Sequence, residues 1–358
     1  MWALQLNVGV RPRPGTARHV IKPFVISALL GALLGCRSDQ PSDTASDASA
    51  AKRPIIDMHL HAFTFEAWSN GDRPPHPTTG KPPEANTSPD ILRLTLEAMD
   101  RYNIKLAVLS GPLETVYAWK ATAPDRFLAS ALFSGRPASD RTAHDPTPSL
   151  DSLRREHAAG RLQALGEITA PYEGVDYDGP ELAPYFALAA ELKMPVGVHT
   201  GLTFPGAVYT CCPRYRIERG NPVHLDEVLA RNPGLKLYIM HMGEMFQEST
   251  LAILHMYPHV YIDVSTMDWG AMPRDQFYAN LQGLVHAGFG KRIMFGSDQM
   301  VWPELIGQAI ETIESAPFLT DEQKHDIFYN NAARFLGLPE LPVPTSPGVK
   351  QRGDSVTP

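Results

Sequence analysis

The segment PIIDMHLHA at residues 54 to 62 sets His59 and His61 two residues apart at the end of an apolar run. Alternation along a strand puts both imidazoles on one face with Ile55 and Asp57, and leaves Ile56, Met58 and Leu60 on the other. Two imidazole nitrogens a few ångströms apart suit one metal ion. The pair alone is weak evidence, because 13 His in 358 residues give about half an H-x-H by chance. Four further residues have the right chemistry: Glu167 in LGEI, His199 in VGVHTG, His241 in YIMHMGE and Asp298 in FGSD. Taken singly, each has a plainer reading. Glu167 suits a surface ion pair, His199 and His241 suit satisfied core histidines, and Asp298 suits a helix cap. Only convergence on one place would give the set a meaning.

The elements that would position these residues follow from hydrophobic periodicity. Short apolar runs at 54–59, 104–110, 126–133, 161–168, 194–199, 235–241, 259–265 and 291–297 alternate with amphipathic stretches such as SPDILRLTLEAMDRYN and VWPELIGQAIETIESA. Strand and helix in alternation predict a parallel sheet with helical crossovers. Eight such units predict closure into a single (β/α)8 barrel over residues 54–338, with a closing helix at 320–338 and a Pro-rich, disordered tail at 339–358. Active sites of such barrels lie at the C-terminal ends of the strands. His59, His61, Glu167, His199, His241 and Asp298 all fall there, whereas the other eight histidines beyond residue 35 fall in loops, in helices or at a strand start. Asp57 is expected inside the barrel, supporting the ligands as a structural partner.

Two loops have no periodic reading. Residues 62–87 form a long insert after the first strand, read equally as a lid carrying Phe63, Phe65 and Trp68 or as a mobile surface loop. The segment TCCPRYRIERG after the fifth strand carries Arg214, Arg216 and Arg219, three guanidinium groups within six residues that could clamp a substrate carboxylate. The same loop holds Cys211 and Cys212, for which a vicinal disulfide and two free thiols both stay open.

Composition narrows the class. A 43% hydrophobic and 20% charged chain is ordinary for a soluble globular protein. Residues 1–35 hold Arg11, Arg13, Arg18 and Lys22 with no acid, then an apolar run of 13 residues ending in LLGC. That pattern reads as a lipoprotein-type signal, with Cys36 lipidated and residues 36–53 forming a flexible tether. The run is too short to span a bilayer comfortably. Without the signal, 28 basic side chains face 39 acidic ones, a formal charge of −11, which disfavours nucleic acid. The expected partners are a small-molecule substrate and, through the lipid, a membrane facing the periplasm; self-association stays open.

The ordered set H-x-H, Glu, His, His and Asp at successive strand ends, with the strings IIDMHLHA, PVGVHTG, IMHMGE, IMFGSD and IFYNNAARFLGL, resembles the amidohydrolase superfamily. The likeness is to its "amidohydrolase 2" branch of metal-dependent barrel hydrolases and non-oxidative decarboxylases, over residues 54 to 338. The resemblance implies that His59, His61 and Asp298 bind a first divalent metal with His199 as a further ligand. His241 then polarises the substrate or joins Glu167 and His199 on a second ion. Zn²⁺ suits such donors, with Mn²⁺ or Fe²⁺ as alternatives. The activity implied is hydrolysis of an ester, lactone or amide-like bond by a metal-activated water, with Asp298 and His241 as catalytic groups. Its rivals are decarboxylation of an aromatic or unsaturated acid on the same fold, and a substrate- or metal-binding lipoprotein without catalysis.

Overall fold

The computed structural model describes residues 52–136 and 147–343. The signal, Cys36, most of the tether and the tail beyond residue 343 lie outside these. Eight parallel strands follow in chain order around a nearly closed barrel: β1 (Ile55–His61), β2 (Ile104–Ser110), β3 (Phe127–Phe133), β4 (Ala164–Ile168), β5 (Val196–Val198), β6 (Leu237–Ile239), β7 (Tyr261–Asp263) and β8 (Ile293–Met294). The last strand meets the first through backbone bonds from Met58 N to Phe295 O, Asp298 N to His59 O and His61 N to Gln299 O. All eight strands coincide with predicted apolar runs, β1 extending two residues further. Among the described residues no helix is long and apolar enough to cross a membrane.

Apolar side chains divide into two clusters. One fills the lumen with Ile56, Met58, Val108, Tyr238 and Met294, and the other packs strands against the surrounding helices. Tyr238 on β6 donates to Met58 O on β1 at 3.0 Å, a contact between non-neighbouring strands that has to cross the lumen. Tyr238→Phe keeps the ring but removes this buried donor. It is expected to cost about 1–3 kcal/mol in chemical denaturation; an unchanged midpoint would show that the carbonyl is satisfied elsewhere.

The closing helical stretch starts with a capping box, in which Gln323 N donates to Thr320 Oγ1 and Thr320 N donates to Gln323 Oε1. It ends in the helix Asn331–Leu336, whose Phe335 ring lies 5.6 Å from Tyr238 and 5.0 Å from Tyr261, closing the N-terminal end of the barrel. The start of the expected disordered tail is held in place: Asn330 Nδ2 donates to Leu341 O at 3.0 Å and Leu341 N donates to Asn330 Oδ1 at 2.8 Å.

Strict alternation in β1 does not hold. Asp57 pairs with Ala107 but Leu60 with Leu109, so between these pairs β1 carries one extra residue against β2, offset by an opposite shift at Ile55/Ile56. Leu60 accordingly joins Ile55 in the outer cluster, while Ile56 and Met58 face the lumen. This bulge changes the phase of the strand, and His59 and His61 enter the lumen on the same side as Met58. Asp57 falls outside the lumen, contrary to the sequence expectation. Its Oδ1 accepts from His59 N and Ser297 N, tying β1 to β8, and burial pushes its carboxyl up to about 6.

Candidate metal centre

The second irregular strand is β4. Leu165 pairs with Val196 and Ile168 with Val198, again one residue too many. Gly166 has φ 125°, and a Cβ there would stand 2.5 Å from Gly197 O on β5. Only glycine fits that approach, and the bulge it allows turns the next residue, Glu167, toward the lumen. Each of the two bulges thus sits where a strand delivers polar groups to the mouth of the barrel.

The six expected residues converge. His59, His61, Glu167, His199, His241 and Asp298 are each at most 7% exposed, which removes the readings as surface ion pair and helix cap. Asp298 also lies seven residues before the next helix, Leu305–Glu314. His59 Nε2 and His61 Nε2 are 3.2 Å apart, and Asp298 Oδ1 lies 3.4 Å and 2.9 Å from them. Glu167 Oε2 completes this group at 3.8 Å and 3.5 Å. Its other oxygen, Oε1, lies 2.6 Å from His199 Nδ1 and 3.3 Å from His241 Nε2, which are 3.0 Å from each other.

The remaining ring nitrogens have partners facing away. His59 Nδ1 lies 2.8 Å from Ser265 Oγ and 3.2 Å from Asp263 Oδ2, and His61 Nδ1 lies 3.0 Å from Ser110 Oγ. His199 Nε2 donates to Leu202 O at 3.2 Å, and His241 Nδ1 donates to Ser265 O at 3.3 Å. Carbonyl acceptors fix the tautomer, so His199 Nδ1 and His241 Nε2 turn lone pairs inward, the arrangement metal-binding imidazoles adopt. Asp298 Oδ1 is buried without a hydrogen-bond partner despite its short contacts. Converging lone pairs around an unpaired carboxylate oxygen repel one another unless a cation lies among them, so these residues fit a divalent metal.

Electrostatics agree. Burial alone would lower His59, but the carboxylates of Asp298 and Asp263 raise it well above the usual histidine range. Burial would raise Glu167, yet His199, and after it His241 and His59, hold it well below the usual carboxylate range. Asp298 is likewise lowered against its burial, by His59 and His61 first. The site thus favours charge-compensated carboxylates at neutral pH.

Other expectations fare differently. Arg216 donates to Pro213 O and Tyr215 O within its own loop, beside a surface groove of about 520 Å³ formed with Val208, Tyr209, Pro213, Tyr215 and Ile217. Arg219 pairs with exposed Asp176. Arg214 is exposed and lies beside Gly174. The described contacts of Arg216 and Arg219 thus run to the loop itself and to Asp176. Cys211 and Cys212 form a vicinal disulfide. The 62–87 insert is a fixed wall: Phe63 stacks on His61 at 5.0 Å, Trp68 lies 4.9 Å from Phe63, and Trp302 Nε1 donates to Pro74 O. On the opposite side Tyr172 lies 4.7 Å from His199.

Sequence reasoning missed Asp263, Ser265 and Thr266. Asp263 Oδ1 accepts from His241 N, Ser265 N and Ser265 Oγ, while its Oδ2 faces His59. The signal available was IDVST, polar residues at the end of the seventh apolar run.

An amidohydrolase family model (Amidohydro_2) matches residues 56–338. The chain belongs to the amidohydrolase family. Among solved structures, this amidohydrolase is similar to a 2,6-dihydroxybenzoate decarboxylase complexed with 2,6-dihydroxybenzoate, at 16% identity over 80% of this chain and 98% of that one, TM-score 0.52. It is similar to a probable 2-pyrone-4,6-dicarboxylic acid hydrolase from Acinetobacter baumannii with citric acid bound, at 15% identity over 79% and 99%, TM-score 0.52. A third is a dihydroxybenzoic acid decarboxylase from Polaromonas sp. JS666 with bound manganese and an inhibitor, at 15% identity over 80% and 97%, TM-score 0.50. At these identities the likeness is one of fold. A search among curated proteins finds no match. The family, together with the buried histidine and carboxylate cluster, supports a divalent metal ion as cofactor.

Proposed function

We propose that this amidohydrolase is a metal-dependent hydrolase that cleaves an ester, lactone or amide-like bond of a small molecule. The observation that carries the reading is the division of Glu167, with Oε2 turned to the His59–His61 pair and Oε1 to the His199–His241 pair. One carboxylate shared by two imidazole pairs suits two divalent ions, of which His59, His61 and Asp298 would hold one and His199 and His241 the other. Zn²⁺ suits these nitrogen and oxygen donors, with Mn²⁺ or Fe²⁺ as alternatives that affinity alone does not separate. When bound, such ions polarise a carbonyl and bring water within reach of ionisation near neutral pH.

The chain's own groups do the rest. Asp298 presents Oδ1 at the first pair, where it takes the proton of the attacking water and returns it to the leaving group. His241, with Nδ1 committed to Ser265 O, keeps Nε2 turned to the second pair. Phe63 and Tyr172 flank the pairs and limit the entry of bulk water.

The test is the metal-reconstituted protein against a panel of esters, lactones, amides and aromatic acids, following acid release and CO₂ together. Acid release without CO₂ is expected; CO₂ as the product would replace this reading with decarboxylation. A sharper check is Glu167→Gln, which keeps size but removes the negative charge that the two imidazole pairs share. Bound metal is expected to fall from two ions per chain to one, with affinity for the second lowered by more than about 100-fold. Two ions retained at full affinity would show that Glu167 is not shared.

A further inference from the structure

Thr266 joins two observations that the chemistry above leaves unused. Its φ is 64°, a left-handed conformation that a β-branched residue adopts only under strain. Its hydroxyl donates to Asp298 Oδ2 and lies 3.1 Å from His241 Nδ1. His241 and Asp298 are themselves at φ 61° and 48°, so three strained residues from the ends of β6, β7 and β8 meet at one hydroxyl. The neighbouring Ser265 hydroxyl, also 3.1 Å from His241 Nδ1, cannot replace it at Asp298, because it donates to Asp263 Oδ1 at 2.7 Å. With Oδ2 taken by Thr266, Asp298 has only Oδ1 to turn toward His61 and His59. That is the buried oxygen without a hydrogen-bond partner.

We propose that Thr266 is a positioning residue: its hydroxyl fixes the rotation of the Asp298 carboxylate so that Oδ1 alone faces the reacting centre. The catalytic consequence rests on the hydrolase reading; the contact itself does not. The strained backbone fits this role, since a relaxed conformation at Thr266 would aim the hydroxyl elsewhere.

Three substitutions separate hydroxyl from backbone. Thr266→Val keeps the branched shape without the hydroxyl, Thr266→Ser keeps the hydroxyl, and Thr266→Gly removes the hydroxyl while relieving the φ. Thr266→Val is expected to lower kcat by about 10–100-fold with KM and bound metal unchanged, the range for groups that orient a metal ligand. Thr266→Ser should restore most of kcat. Thr266→Gly should lose kcat like the valine variant without a lower thermal midpoint, and it carries the test should Thr266→Val not fold. The visible absorption of Co²⁺-substituted protein gives a readout independent of turnover, with bands shifted in the valine and glycine variants and unshifted in the serine variant. Serine behaving as badly as valine, or valine matching the wild type in both kcat and spectrum, would overturn the proposal. Absence of turnover by the wild type on every substrate would sink the hydrolase reading alone, with the Co²⁺ spectra still deciding Thr266.

Discussion

The His59→Ala/His61→Ala double variant is expected to lose metal and turnover together. The two Nε2 atoms stand 3.2 Å apart and share Asp298 Oδ1 and Glu167 Oε2 as neighbours, so removing both strips every nitrogen donor from that half of the centre. Loss of a group that merely orients a ligand costs about 10–100-fold in metal affinity, and loss of two ligands exceeds that. What remains is Asp298 and Glu167, two carboxylates buried close together, with Asp298 now lacking the two imidazoles that chiefly hold it below its ordinary range while His199 and His241 still hold Glu167 low. One of them is then expected to take up a proton rather than stay charged. Metal content by mass spectrometry, and the rise in thermal midpoint on adding Zn²⁺, check this. Wild type should be stabilised by the metal and the double variant not, because a ligand stabilises only the fold that binds it. Wild-type metal content in the double variant, with turnover, would remove the site.

Asp298→Asn should separate binding from chemistry. The amide retains an oxygen that can lie near His61 and His59, so part of the metal is expected to stay. It cannot take a proton at neutral pH, whereas the carboxylate, held low by His59 and His61, is ionised and ready to do so. Loss of a general base costs about 10²–10⁴-fold in kcat. The decisive comparison is kcat per bound metal, with KM little changed because substrate binding does not need the proton transfer. A kcat within a few-fold of wild type at equal metal content would assign the proton to another group.

The barrel was legible because it rests on repetition. Eight apolar runs separated by amphipathic stretches have one economical closure, and the candidate ligands stand out because Glu167, His199 and His241 lie at the ends of those runs and Asp298 directly follows one. The parts that were not legible depend on contacts between distant segments. The β1 bulge is visible only when Leu60 is paired with Leu109, and it overturns the face assigned to Asp57. The β4 bulge depends on how closely Gly166 approaches Gly197, 31 residues later. Asp263, Ser265 and Thr266 looked like the polar end of a strand because their partners, His59, His241 and Asp298, come from three other strand ends. The arginine loop is the counterpart: residue type and spacing suit a carboxylate clamp, whereas the described contacts of Arg216 run to its own backbone carbonyls and that of Arg219 to Asp176. Spacing along the chain gives the separation of side chains, not the direction in which a loop without periodic structure turns them.

The central claim is that these six side chains form a metal centre on which turnover depends. It is tested most directly by stripping the wild-type protein with chelator and adding Zn²⁺ or Mn²⁺ stepwise, reading bound metal and turnover in the same samples. The stripped protein should be inactive, turnover should climb with bound metal, and it should reach its maximum only as the second ion per chain is taken up. Full turnover by the stripped protein, at no bound metal, would contradict the account.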